Sequence, residues 1–339
     1  MSLNLSHIGS YQRGGVLVET ERPVDEAWRR IARLGTHDYI GELSPDKPDI
    51  NWERHKQYSI VRIHQSIEFR ASAGAGSLLS RPLPLYYSFL NLIRATLSIV
   101  PEIIPKPQHG LKQKTGSSLW ECAAEIHPGT FTDLLDWLGV PWKKGTTLSL
   151  KQCLSRTPEV SRSFASPKRG KPNVCPVTVR SRTSGEVKFL LDPDLIEVET
   201  FQANWMHWYP KLAQRFKLSE GGSDLYLSDA ILPKSYEEVC SICEELLVPR
   251  LTLGSSAIWF LEREDNAPIL MPRLAQYLAA MFILGSLVRY EPELLDEAGR
   301  AASEDGWFLD EFLSAAERFF PQLILERIYQ RPFYFGGTH

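Results

Sequence analysis

Few residues in this chain have the type and spacing of a reaction centre, and each of them has a structural alternative. Arg30 and His37 form a basic pair that straddles the end of a short predicted helix. A basic pair of that kind can position and protonate a cleaving phosphodiester. Gly35, however, interrupts the helix between them, so a solvated helix accounts for the pair. His64 sits beside an apolar stripe and reads as a partly buried, hydrogen-bonded core histidine. His109 lies in the loop PEIIPKPQHGLKQKTG, with Lys106, Lys112 and Lys114 around it and no acid after Glu102. A ligand or phosphate can reach such a position, and so can a turn residue whose ring caps local backbone. Arg94 and Arg289 interrupt apolar helix faces, where a buried guanidinium needs a partner. A structural ion pair is the first reading, with Glu291 or Glu293 for Arg289, and an anion-binding role is the second.

Metal and redox chemistry find little support. Cys240 and Cys243 form a CxxC inside a capped helix and not at a helix start after a strand, so apolar packing explains them. Cys122, Cys153, Cys175 and His207 show no paired spacing, and no metal site or cofactor is expected. Glu186-Val187-Lys188 has the acid and lysine of a metal-dependent nuclease, but the nearest upstream acid is Glu159. The turn Gly74 to Ser77 lacks the Lys-Ser/Thr ending of a phosphate cradle. The stretch Ser161 to Arg182 has no acid and contains Lys168, Arg169, Lys171, Arg180 and Arg182. With Trp205, Trp208, Tyr209 and Phe216 nearby it has the makings of a single-strand RNA or DNA surface, or of a loop beside core aromatics. The candidate catalytic residues are therefore His109, His64 and Arg94. The candidate binding residues are Lys168, Arg169, Lys171, Arg180, Arg182 and Arg289.

The elements that must position these side chains are mainly helices. RPLPLYYSFLNLIRATLSIV, Arg81 to Val100, is apolar over most of a helical surface, opens at Pro82 and Pro84, and is stopped by Pro101. It is shorter than the ~20 apolar residues a bilayer needs, so it reads as a core helix. Short helices are expected at 24–34, 131–138 and 148–154, and a longer amphipathic one at 52–73 with Ile60, Ile63, Ile67 and Ala71 on its inner stripe. Cys175, Val177 and Val179 alternate with Thr178 and Arg180, and after a Thr-Ser-Gly turn Val187, Phe189 and Leu191 alternate with Lys188, which makes a hairpin with one wet, basic face. A strand at 195–201, a second hairpin from 257–261 and 269–271, and a mixed sheet complete the middle. Ser235 and Glu238 make a capping box. The run YLAAMFILGSLVRYEPE from Pro272 is the partner of the core helix, with Gly285 allowing close approach, and a last helix from 308 to 329 breaks near Pro321. Acids dominate from Glu291 to Glu311.

The chain has 339 residues, 43% hydrophobic content and a net charge of −3, so any nucleic-acid contact must come from a local patch. No secretory segment opens it, and its five cysteines are odd in number and scattered, which places reduced thiols in the cytoplasm.

RPLPLYYSFLNLIRATL, then His109-Gly110-Leu111, GTFTDLL at 129–135, SLKQCLSRTPEV at 149–160 and LGSLVRYEPELLDE come in an order and spacing that resemble the YaaC-like family of bacterial proteins. That resemblance implies a fold and a cytoplasmic location and transfers no activity. The tyrosine-bearing core helix is also similar to those of HEPN-type helical domains, which include RNases and nucleic-acid-binding partners; this is analogy of fold.

The expectation is a mainly helical α+β protein. It has an N-terminal extension (1–50), a helical block (51–160), a mixed insert with the basic hairpin (161–271), and a C-terminal helical block (272–339) packing back on the first. The function expected is a non-catalytic binding or scaffold component, possible in a nucleic-acid-linked or antiviral defence system, with a protein partner, a second copy, or RNA or DNA as ligand and no membrane. The alternative is a HEPN-like or other metal-independent RNase.

Overall fold

The computed structural model describes residues 15–43, 50–181, 186–221, 224–229, 235–250, 258–265, 267–300 and 303–336. Arg182 and the Thr-Ser-Gly turn, both singled out above, lie outside them. The chain is a mainly helical α+β protein. It opens with β1 (Val16–Glu19), α1 (Pro23–Leu34), α2 (His37–Glu42), α3 (Ile50–Ala73) and α4 (Pro82–Ile99). There follow β2 (Leu111–Lys114), β3 (Ala123–Ile126), α5 (Thr130–Trp137), β4 (Thr147–Ser149), α6 (Leu150–Ser155) and α7 (Ser161–Phe164). The middle holds β5 (Val174–Ser181), β6 (Val187–Leu191), α8 (Val198–Trp208), α9 (Pro210–Ala213), β7 (Phe216–Gly221), β8 (Asp224–Asp229), α10 (Tyr236–Leu246), β9 (Val248–Arg250) and β10 (Ile258–Glu262). The chain closes with α11 (Arg273–Tyr290), α12 (Pro292–Gly299), α13 (Glu304–Tyr329) and β11 (Phe333–Gly336).

Two compact units divide these elements. The helical unit takes residues 22–154 and 268–331. α4 is its centre: an apolar surface all round leaves almost no residue of it in water, as expected of a helix enclosed by others. α3 meets it through small polar side chains, with Ser66 and Ser88 hydroxyls 2.9 Å apart and Ser59 Oγ donating to the Ala95 carbonyl. On α3, Ile60 and Ile63 are buried, but Ala71 and His64 are exposed; the inner stripe is completed by Ser59 and Ser66, which periodicity of apolar residues cannot show. α11 packs on α4 at Gly285, where a Cβ would stand 3.2 Å from Tyr86 Cβ and 3.4 Å from Leu83 Cα. From α13, Phe320 stacks on Phe89 with ring centroids 3.9 Å apart.

α13 runs unbroken through Pro321, where the sequence suggests a break. Proline removes the donor for the carbonyl of the residue four positions earlier. That carbonyl, on Glu317, accepts Trp28 Nε1–H at 3.0 Å, so a side chain from α1 supplies the missing bond. The unit also holds a small antiparallel sheet, β2-β3-β4, inside a stretch that reads as loops and helices. Three- and four-residue strands are too short to show an alternation.

The second unit takes residues 15–21, 155–267 and 332–336 among those described. Its six-stranded sheet has the order β7-β8-β6-β5-β10-β9, and every described pairing in it is antiparallel, where a mixed sheet was expected. The expected β5–β6 hairpin is present, with Val177 opposite Leu191 and Val179 opposite Phe189. Residues 195–201 are not a strand: Pro193–Leu195 forms a 3-10 turn and α8 starts at Val198. β10 pairs with β5 and β9 and not with 269–271. β1 and β11 form a separate parallel pair that joins distant ends of the chain.

Candidate anion-binding cleft

His109 lies where three backbone segments of the helical unit are tied together. Gly110 adopts φ +84°, a left-handed conformation that favours glycine, and a Cβ there would meet Phe131 N at 2.8 Å. Gly129 faces it so closely that a Cβ would stand 2.4 Å from Gly110 N. Two backbone bonds then lock the loop to the start of α5, from Thr130 N to Gln108 O at 2.8 Å and from Phe131 N to His109 O at 3.0 Å. The sequence landmarks His109-Gly110 and GTFTDLL are thus two sides of one contact.

Arg94 holds the same loop from below. It is 9% exposed, and its guanidinium donates to Thr130 Oγ1 at 3.2 Å and to the Pro107 carbonyl at 2.6 Å. No carboxylate pairs with it among the described residues, so the expected ion pair is replaced by neutral acceptors. Arg289 differs more: it is exposed, its guanidinium lies 4.9 Å from the Tyr290 ring, and it too forms no ion pair among the described residues. Glu291 instead accepts from the Thr115 hydroxyl at 3.1 Å.

A cleft of about 470 Å³ opens at this point. The loop and β2 contribute Gln108, His109 and Gln113; α11 contributes Phe282, Ser286, Arg289 and Tyr290; His127 and Pro128 close the side. The Tyr86 hydroxyl meets His109 Nδ1 at 2.8 Å, and the Tyr87 ring stands edge-on to the imidazole at 5.9 Å. Burial raises the Tyr86 phenol well above its ordinary value, so it stays protonated. His109 is pushed the other way, first by burial and then by the Arg94 and Arg289 charges, and is a neutral imidazole at neutral pH. One of the two groups donates across that contact: either the phenol to Nδ1, with the ring proton on Nε2, or Nδ1–H to the phenol oxygen, with the Nε2 lone pair free. His127 is already engaged, with Nε2 2.7 Å from Glu125 Oε1. Two further polar atoms of the lining residues are buried and make no hydrogen bond among the described residues, Ser286 Oγ and Gln113 Nε2. The arrangement is a cationic, hydrogen-bonding recess that suits an anion.

Of the residues singled out from sequence, His109 and Arg289 line this cleft and Arg94 stands directly behind it. His64 is away from it and exposed on α3, not a core histidine. Arg169 is buried, with Nε donating to Phe164 O and Nη2 to Ser163 O, so it holds its own loop. Lys168, Lys171 and Arg180 are exposed in the sheet unit, with Lys171 Nζ donating to Asp194 O at 2.6 Å. Arg30 bonds Glu26, and Cys240 and Cys243 are buried packing residues. Among the described residues no group of three or more His, Cys, Asp or Glu is arranged to hold a metal ion. Sequence reasoning missed Tyr86, Gln113 and Ser286 as site residues. The tyrosine pair in an otherwise aliphatic helix was the available signal for the first.

Fold and cleft together define a mainly helical α+β protein with a basic recess at the end of its core helix. The chain belongs to the YaaC-like family, whose model matches residues 30–328. No curated protein and no solved structure matches it, and the likeness to HEPN-type domains finds no support. No described helix is long and apolar enough to cross a membrane.

Proposed function

We propose that this chain is a binding protein, not a catalyst, and that its recognition site is the His109 cleft, which takes an anionic, phosphate-bearing ligand. The observation that carries this reading is the pair of arginines that have no carboxylate partner among the described residues, one behind the cleft and one at its rim. An uncompensated guanidinium beside a recess attracts an anion and can bind it bidentately. Titration of the full chain with inorganic phosphate and with a short 5′-phosphorylated RNA, followed by calorimetry, tests it. Binding that weakens with salt and is lost in Arg289→Met supports the reading; no heat with either probe refutes it.

A second reading, RNA cleavage, is favoured by the neutral His109 imidazole beside the Tyr86 hydroxyl: with Nδ1–H donating to the phenol oxygen, Nε2 keeps the free lone pair of a general base. Cleavage of single-stranded RNA that disappears in His109→Ala would establish it. In both readings Lys168, Lys171 and Arg180 offer a separate surface for RNA or DNA, and loss of binding on their neutralisation is its test.

A further inference from the structure

The cationic ground around His109 continues beyond the cleft along the seam of α3 and α4. The Tyr87 ring, edge-on to His109, stacks on Phe69 of α3 with centroids 5.4 Å apart. One turn on, Asn91 donates from Nδ2 to the Tyr87 carbonyl, and its Oδ1 accepts from Arg62 Nη1 at 3.2 Å. Nη1 also donates to Gln65 Oε1 at 2.9 Å, and the guanidinium lies 5.0 Å from the Tyr58 ring. Tyr58, Arg62, Gln65 and Phe69 stand at i, i+4, i+7 and i+11, so they form one stripe of α3, and all four are only half-buried. Arg62, like Arg94 and Arg289, has no carboxylate partner among the described residues. Its other edge, Nε and Nη2, makes no hydrogen bond among them, and neither nitrogen is buried. That edge is the fork that takes a phosphate with two parallel bonds. Arg94 lies close enough to feel it: its guanidinium is depressed first by burial, and the Arg62 charge adds to the depression. Like charges set near one another without an acid to balance them are unfavourable, and an anion laid along them offsets that.

We infer that the cleft and this stripe together hold the phosphorylated end of a single-stranded nucleic acid: the terminal phosphate in the cleft, a following backbone phosphate on Arg62, and bases against the Tyr87 and Tyr58 rings. This rests on the anion-binding reading above and names the ligand class for the same recess. A terminal phosphate carries about −1.5 to −2 charge at neutral pH against about −1 for a bridging one, so a recess flanked by Arg94 and Arg289 favours the end of a strand. His127 and Pro128 close the recess on one side, so the strand ends there and leaves along α3. A free phosphate uses only the recess, and an acidic peptide brings no bases to the rings. A phosphorylated strand uses the recess, the Arg62 fork and the aromatic surfaces at once.

The test is calorimetric titration of the full chain, at low and moderate salt, with inorganic phosphate and with a short RNA phosphorylated at its 5′ end, at its 3′ end or at neither. A phosphorylated acidic peptide of equal charge is the further control. One phosphorylated strand should bind at least about tenfold more tightly than phosphate, the unphosphorylated strand or the peptide. Arg62→Gln should weaken that strand about tenfold and lower its salt slope by about 0.7, with phosphate binding unchanged; Tyr58→Leu should weaken it about fivefold. A strand bound no more tightly than phosphate or than its unphosphorylated form, or one untouched by both Arg62→Gln and Tyr58→Leu, overturns the strand assignment but leaves the anion cleft standing. A peptide bound as tightly as the strand does the same and gives the surface to a protein partner. No binding of any probe overturns both readings. A melting curve checks each variant, and if Arg62→Gln is unfolded, Arg62→Lys, which keeps the charge but loses the fork, takes its place.

Discussion

At the scale of single residues, Ser286 is placed at a cost to stability. Alanine has the higher helix propensity and has no hydroxyl to desolvate, so Ser286→Ala should raise the unfolding free energy by about 1 kcal/mol, measured by urea titration. His109 adds a pH effect whose sign is fixed. Its folded-state value is depressed below 6.5, so as pH falls through 6.5 the unfolded chain takes up a proton that the folded chain resists, and stability is lost. Above that pH the imidazole is neutral in both states and contributes nothing by this route. In His109→Gln the acid loss should be smaller, so the stability gap between wild type and variant should change in the variant's favour from pH 8 to pH 5. Arg94 and Arg289 are the charges that act on His109 after burial. Arg94→Met should therefore raise the His109 pKa towards 6.5, read from imidazole proton shifts. The same change loses two charge-assisted hydrogen bonds, at about 1.5–3 kcal/mol each before the relief of desolvating the guanidinium is subtracted.

Between elements, the cleft depends on how α4, α11 and the His109 loop are spaced, and glycines set two of those spacings. Gly285→Ala brings a methyl to 3.2 Å from Tyr86 Cβ, so the gain in helix propensity and the crowding nearly cancel. Gly285→Leu should cost about 1–3 kcal/mol by overpacking and, by displacing Tyr86, should also perturb the His109 shifts. Close approach at Gly285 was legible in sequence, because an apolar helix interrupted by one glycine has few other reasons for it. The core helix was legible for a similar reason: its stripes are broad and prolines bound it. Less was readable where polar groups do the packing. Ser59 and Ser66 face α4 through hydroxyl contacts, and no hydropathy pattern predicts that Ala71 yields its place to them. The misreading of residues 195–201 has a related root, since Leu195 serves a 3-10 turn and Phe201 the buried side of a helix as well as either would serve a strand, while Val198 is left exposed. His109 could be proposed from its basic loop, but Gln113 and Ser286 could not, because nothing local distinguishes a glutamine on a four-residue strand or a serine in an apolar helix. Their meaning comes from the long-range contact that brings β2 beside α11.

For the molecule as a whole, charge limits what the exposed cations can do. A net charge of −3 gives no general attraction to a polyanion, so nucleic-acid affinity must come from local sites. The basic stretch looks strong in sequence because acids are absent from it, yet the fold spends part of it elsewhere. Arg169 is buried on backbone carbonyls and Arg162 pairs with Asp192. Among the described residues of the stretch, Lys168, Lys171 and Arg180 remain, all in the sheet unit and exposed. Each phosphate neutralised on a single strand contributes about 0.7 to the slope of log affinity against log salt, so those three cations support a slope of about −2. Such a shallow slope means weak binding at physiological salt, strengthened only by stacking on nearby aromatic faces. Fluorescence anisotropy with a labelled single strand, from low to moderate salt, should return a slope near −2 that falls to near zero when Lys168, Lys171 and Arg180 are all changed to Gln. A wild-type slope several units steeper would show that other cations engage the strand. A slope unchanged in the triple variant would remove this surface from the account and leave the His109 cleft as the place where an anionic ligand is held.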